Sequence, residues 1–372
     1  MPFSNSERNL EALKSLPHAK ASVRSACLID QTLITFQQAI FRQKPVRSRN
    51  IEAENSSTQV FGRSDNMKVL DLFCGLGGLS QGFNKAGFEV TGVDVSESAG
   101  RTFQLNNKSQ FIKADLSDVL IENGSYDIVI GGPPCKPWSA INTKRTRRGK
   151  RHRDFLLLSR FFEHVVHNSP QVFVLENVPL LANDKTLKSY VERLRSQGFS
   201  IESDIVKYSD YGAPTSRHRF ILFGTKKGDA KVFFKKLNEH RRSPQTVRDA
   251  IWELKDKERG EVPDHVWPDL KTIRKYRSYY ETGKFGWYVL KWDEPAPSFG
   301  NIMKTYILHP DAFNGEPARV ISVREALLIM GFDSRFRFPP EFGLGLRYQM
   351  VVDAVSPIFS YVAARVVRDF AS

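Results

Sequence analysis

Short apolar runs rich in Val, Ile and Leu recur along this chain, and most stop at a charged residue or a glycine turn. In Met67–Gly78 such a run is closed by Asp71 and gives way to a glycine-rich turn, with Leu79–Ala86 patterned as the helix that follows. Glu89–Val93 ends at Asp94, and Phe111–Lys113 leads into Ala114-Asp115-Leu116. Ile128–Ile130 is an unbroken apolar run and Val172–Val178 is an apolar strand that ends in Glu176 and Asn177, as expected of strands buried on both faces. Phe220–Phe223 reads as a further strand. Between the strands, Phe155–Val166 and Leu187–Gln197 carry helical periodicity, the second ending at Gly198. This alternation predicts an α/β protein. Thr246–Leu254 reads as another helix, periodicity weakens from Lys255 to Trp292, and Ser322 with Glu325 forms a capping box ahead of an apolar helix face. Tyr348–Val367 is expected to be a single closing helix. Residues 1–66 stand apart as an N-terminal extension. Within it, Ala26–Phe41 has one broad apolar face and Arg42–Asn66 is polar, so a helical arm plus a linker is expected.

Length and charge sharpen the picture. A chain of 372 residues is long enough for two cores, and its net charge of +14 suits a polyanionic partner, although excess Lys and Arg also serve as solvated surface. The three cysteines, Cys27, Cys74 and Cys135, are far apart, which argues for a reducing compartment and against a disulfide framework or a zinc site. With neither a signal-peptide pattern nor an apolar run long enough to span a bilayer, a cytoplasmic protein is expected.

Candidate chemistry gathers at strand ends. In Asp127–Ser139 (DIVIGGPPCKPWS) a strand leads through Gly131-Gly132 and Pro133-Pro134 to Cys135, at the lip where open α/β sheets place ligands. A cysteine there is either a small packing residue or a reactive thiol. Val172–Val178 (VFVLENV) brings Glu176 to the same kind of lip. The glycine turn admits a dinucleotide as well as other nucleoside cofactors. Asp94 and Asp115, each at a strand end, read as acceptors for such a ligand or as turn residues. Beyond Cys135, residues 144–153 are basic without an acidic residue, which fits either phosphate contacts or a solvated loop.

Taken together, V-L-D-L-F-C-G-L-G-G at 69–78, P-P-C at 133–135 and E-N-V at 176–178 resemble the DNA cytosine-5 methyltransferase family, in order and from Met67 to the C-terminus. The resemblance implies a Rossmann-like S-adenosylmethionine-dependent domain over 67–246, completed by 346–372, with a smaller target-recognition domain over 247–345. It implies Cys135 as nucleophile and Glu176 as the acid, with Arg217 and Arg219 of Y-G-A-P-T-S-R-H-R in the site. S-adenosylmethionine would be held by Asp71, Phe73, Gly75, Gly77, Gly78, Asp94, Val95, Asp115, Leu116, Pro134 and Asp353. Ser139, Lys144, Arg147, Arg148 and Arg151 would contact duplex DNA. A monomer, possible partner of a cognate restriction endonuclease, is implied. Two departures stand out. Thr215 replaces the family's Gln, and Val352-Asp353 replaces a Gly-Asn pair near the cofactor. They leave room for a relative that binds DNA without catalysis. The family's tRNA-directed branch is a further alternative, although its C-F-T-x-x-Y motif is missing from the recognition region.

Overall fold

The computed structural model describes residues 67–371 except 122–124, 139–152, 271, 284–285, 305–306 and 315–317. The N-terminal arm and linker, Ser139 and the basic residues Lys144, Arg147, Arg148 and Arg151 lie outside the described residues. Strands β1 (Lys68–Leu72), β2 (Glu89–Asp94), β3 (Gln110–Lys113), β4 (Ile128–Gly131), β5 (Val172–Asn177), β6 (Ser200–Lys207) and β7 (His218–Thr225) form one sheet. Its order is β3-β2-β1-β4-β5-β7-β6. The first five strands are parallel, whereas β7 runs antiparallel to both β5 and β6. This is a Rossmann-like α/β fold.

Alternate strand residues feed two separate apolar layers, which is why the strands read as unbroken apolar runs. On one face Val69, Ile128, Ile130, Val172 and Val174 pack with α1 (Gly78–Lys85). On the other, Leu70, Leu72, Val129, Phe173 and Leu175 meet α3 (Leu156–Asn168) and α4 (Lys185–Ser196), while α2 (Glu97–Asn106) links β2 to β3. Helix α5 (Ala230–Glu239) joins the first layer through Phe233 and Leu237. A third apolar cluster is drawn from residues between Val247 and Ala354, with Leu76. It contains the short helices α6 (Val247–Ile251), closed by the Thr246–Asp249 capping box, and α8 (Val323–Ile329), closed by Ser322 and Glu325. Helix α7 (Arg277–Glu281) is the one α-helix described between them.

The closing helix is two helices, α9 (Leu344–Asp353) and α10 (Pro357–Ala371). Pro357 explains the break: it lacks an N–H, and its ring disfavours helical geometry at the residue before it. By length and composition alone Leu344–Ala371 could cross a membrane, as a buried core helix also can. Yet 67% of its most apolar window is buried inside the protein, where α10 covers α1. Glycine makes that approach possible, since a Cβ on Gly82 would lie 2.3 Å from the backbone nitrogen of Tyr361.

Candidate active site

Strand order reverses between β1 and β4, so their exits diverge and leave a crevice at the carboxyl edge of the sheet. Cys135 leaves β4 at this crevice. The turn is fixed by the Trp138 N–H, which donates to the Cys135 carbonyl at 2.9 Å. The Asn177 side chain, at the end of β5, donates to the Pro133 carbonyl at 2.8 Å. Cys135 is half-buried. Burial pushes its thiol up, Arg219 gives the strongest opposing pull, Asp353 and Glu176 push it further up, and Arg217 pulls it down. Glu176, Arg217 and Arg219, which resemblance placed in the catalytic site, and Asp353, which it placed with the cofactor, thus all act on one sulfur.

Glu176 is buried and accepts two bonds at Oε1, from the Tyr208 hydroxyl at 3.0 Å and from Arg219 Nε at 2.8 Å. Its Oε2 faces Gly132, where a Cβ would lie 3.2 Å away. The pairing follows from sheet register: Glu176 sits opposite Ile221 on β7, one strand turn beyond Arg219. Arg219 also donates from Nη1 to the His218 carbonyl at 2.7 Å. Arg217 is buried and donates from Nη2 to the carbonyl of Val352 at 2.7 Å, satisfying an acceptor in the last turn of α9. Its Nε is buried without a partner, and burial, followed by the like charge of Arg219, lowers its pKa to about 10. Thr215, the departure from the family's Gln, has a buried hydroxyl without a partner beside the paired segment at Ala296. Asp353 is exposed, yet protein around its carboxyl raises its pKa, against a donor bond from Gln349 at 2.8 Å and the pull of Arg217, Lys136 and Arg219.

The β1 turn forms a second niche. Asp71 is buried, takes a 2.5 Å bond from the Ser80 hydroxyl on Oδ2, and leaves Oδ1 buried without a partner. Burial is the main reason its pKa rises to about 7. Asp94 accepts the Gly75 N–H at 3.0 Å and the Ser96 N–H at 2.8 Å, one on each oxygen, which leaves each oxygen a lone pair. Phe73 has a left-handed backbone, φ 59°, and is half-buried at the niche, while Val95 is 57% exposed beside Asp94. Asp115 is exposed, its carboxyl held low by the Ser117 N–H, and Leu116 is buried. Pro134 is half-buried between Pro133 and Cys135. The three glycines do different jobs. A Cβ on Gly75 would meet nothing within 4 Å, whereas one on Gly77 would strike Phe103 and one on Gly78 the Val355 carbonyl. Gly75 faces open space and the other two permit packing. Cys74 is buried, with its thiol raised well above the ordinary value by burial, as befits a packing residue. Among the described residues no group of three or more His, Cys, Asp or Glu is placed to hold a metal ion.

A family model described as C-5 cytosine-specific DNA methylase matches residues 67–368. The chain belongs to that family. The methylase is 27% identical over 349 residues to the type II methylase M.HgiDII of Herpetosiphon aurantiacus, covering 81% of this chain and 95% of that one. It is 28% identical over 334 residues to the type II methyltransferase M.FnuDI of Fusobacterium nucleatum, covering 82% and 94%. Among solved structures, the Entamoeba histolytica methyltransferase EhMeth shares the fold with a TM-score of 0.63 at 17% identity, over 82% of this chain and 99% of that one. The Dnmt2 methyltransferase of S. pombe does so with a TM-score of 0.61 at 15% identity over the same shares. This protein is thus a DNA (cytosine-5-)-methyltransferase, of a family that in general uses S-adenosylmethionine.

Sequence reasoning passed over two residues of the methylase site. Tyr208 is fully buried against Glu176, and Asn177 braces the nucleophile turn. Asn177 lay in the quoted E-N-V, and a polar residue ending a buried strand was the available signal. Tyr208 gave none, because a tyrosine in a core segment reads as packing.

Proposed function

We propose that this methylase transfers a methyl group to C5 of a cytosine extruded from a specific duplex site, through a transient covalent bond between Cys135 Sγ and C6 that breaks, expelling the thiolate, when a water takes the C5 proton. The observation that carries the reading is the convergence of Cys135, from β4, with the Glu176–Arg219 pair, from β5 and β7, beside the β1 niche. Carbon 5 of cytosine is a poor nucleophile, and addition of a thiolate at C6 moves electron density onto it. Arg219 and Arg217 favour that thiolate against the cost of burial. Arg219 and Tyr208 hold Glu176 by Oε1, which frees Oε2, once protonated, to donate to ring N3 as charge builds there. Arg219 Nη2, which neither the Glu176 nor the His218 bond uses, is assigned to the cytosine O2.

The β1 niche suits S-adenosylmethionine: an open glycine at 75, spare acceptor capacity on Asp94 for ribose hydroxyls, and an unpartnered buried oxygen on Asp71. That cofactor supplies an electrophilic methyl on a sulfonium. Phe73 and Val95 would flank its adenine and Asp115 would accept from the adenine amino group. The basic segment with Lys144, Arg147, Arg148 and Arg151, together with Ser139, would contact phosphates, and residues 247–345 would read the site. Phosphate contacts offset the few kcal/mol, roughly, of base extrusion. Incubation with labelled S-adenosylmethionine and either mixed-sequence duplex DNA or tRNA, followed by bisulfite sequencing of cellular DNA, tests this. Label on tRNA alone, or on neither, would overturn it.

Asp353 sets the affinity for the cofactor's methionine end. An ionised aspartate is acceptor-only and repels a carboxylate that an asparagine would bind. Asp353→Asn is expected to tighten S-adenosylmethionine binding about tenfold, roughly 1.4 kcal/mol. Because the Asp353 carboxyl is raised, wild-type affinity should also climb as pH falls through its titration, and the variant's should not. Calorimetric titration decides it, and clearly weaker binding by the variant would assign Asp353 an attractive role.

A further inference from the structure

The turn that carries Cys135 is held on both sides by the segment that follows Glu176. Upstream, Asn177 donates to the Pro133 carbonyl. Downstream, the chain turns through Lys136 and Pro137 into Trp138, whose indole is buried. Its Nε1–H donates to Asp184 Oδ2 at 2.7 Å. Asp184 is no free surface carboxylate. Its other oxygen accepts the Thr186 N–H at 2.7 Å and caps α4, so its direction is set by a helix rooted in the second apolar layer. The indole also leans on the Phe155 ring, with centroids 5.5 Å apart, ahead of α3. The backbone N–H of the same tryptophan closes the turn on the Cys135 carbonyl at 2.9 Å. One residue therefore connects the nucleophile's own carbonyl to a charged acceptor on the strand exit that bears the catalytic carboxylate.

We propose that Trp138 and Asp184 act as a positioning pair, which sets the height and direction of Cys135 over the cytosine by tying its turn to the exit of β5. The inference rests on the reading of Cys135 as the nucleophile. A hydrogen bond to an ionised acceptor is stronger and more directional than a neutral one, so it suits a strut. A phenylalanine at 138 would occupy most of the same pocket and lean on Phe155, yet it would leave the turn unattached to α4. The physical consequence is specific: loss of the strut lets the sulfur drift by a fraction of an ångström, which slows attack on C6 without changing what is bound.

The test uses the full chain with duplex DNA that carries 5-fluorocytosine in the methylated site. Trp138→Phe removes the indole N–H and keeps the ring. Asp184→Asn keeps an oxygen for the α4 cap and turns an NH₂ toward the indole, donor against donor. Each variant is expected to form the covalent trapped complex about tenfold more slowly at saturating DNA. DNA affinity, cofactor affinity and melting temperature should stay near wild type. The double variant should be no slower than either single one, because both remove the same bond. Unchanged trapping rates, multiplicative losses in the double variant, or slowing matched by a fall in melting temperature would each overturn the proposal. Failure of wild type to trap would instead remove the nucleophile reading on which it rests, so the two failures are distinguishable.

Discussion

Cys135→Ala is expected to abolish methyl transfer, a loss on the order of 10⁴-fold or more, since the remaining groups cannot make C5 nucleophilic. Covalent trapping by 5-fluorocytosine DNA should vanish with it. The variant should fold and bind cofactor, because the turn is closed by the backbone bond between Trp138 and Cys135, which alanine keeps. Cys74→Ala provides the contrast. That thiol is buried against the sheet and pushed well up by burial, so its removal should leave trapping intact. The reverse pattern would overturn the assignment. In the free enzyme, burial also raises the Cys135 thiol. The thiolate fraction, and with it the rate of alkylation by iodoacetamide, should therefore keep climbing past the ordinary thiol range as pH rises.

Glu176→Gln should lower turnover by about 10²–10³-fold. Glutamine can still accept from Tyr208 and Arg219, so the architecture around Oε1 is largely retained. It cannot deliver a proton to N3. Arg219 loses its buried counter-charge, and breaking a buried pair costs about 3–5 kcal/mol when nothing replaces it. The amide replaces part of the bonding, so a smaller fall in melting temperature is expected, and turnover should be measured well below it. Cofactor affinity should barely change, because the niche is built from β1 and β2 and Glu176 lies on β5. Near-normal turnover would remove Glu176 from the proposed role at N3.

Strands β1, β2, β4 and β5 were legible because both faces are covered, which demands apolar residues at nearly every position. β6 was not. It lies at the sheet edge with Ser203, Asp204 and Ile205 exposed, and few of its positions touch a core. The closing helix was read as continuous because apolar residues run through Val351, Val352 and Val355, although Pro357 marked the break. Cys135 and Glu176 were legible for a different reason: each sits in an unusual local sequence at the end of an apolar run. The separate jobs of Gly75, Gly77 and Gly78 were not, since only the neighbours Phe103 and Val355 distinguish them.

What adjacent residues decide, the chain states openly: strand or helix, the sharp turn before a cysteine, a carboxylate at a strand end, the surplus of positive charge. Backbone geometry and burial act over a few residues, and their marks stay local. The bond from Arg219 to Glu176, the Tyr208 hydroxyl on the same oxygen, the Arg217 link to the end of α9 and the Trp138–Asp184 strut join residues far apart in sequence. They exist because β7 pairs antiparallel with β5 in one register and because β4 lies beside β5. Strand order is a property of the whole sheet, set by which apolar faces can be covered at once, and no single stretch of the chain encodes it.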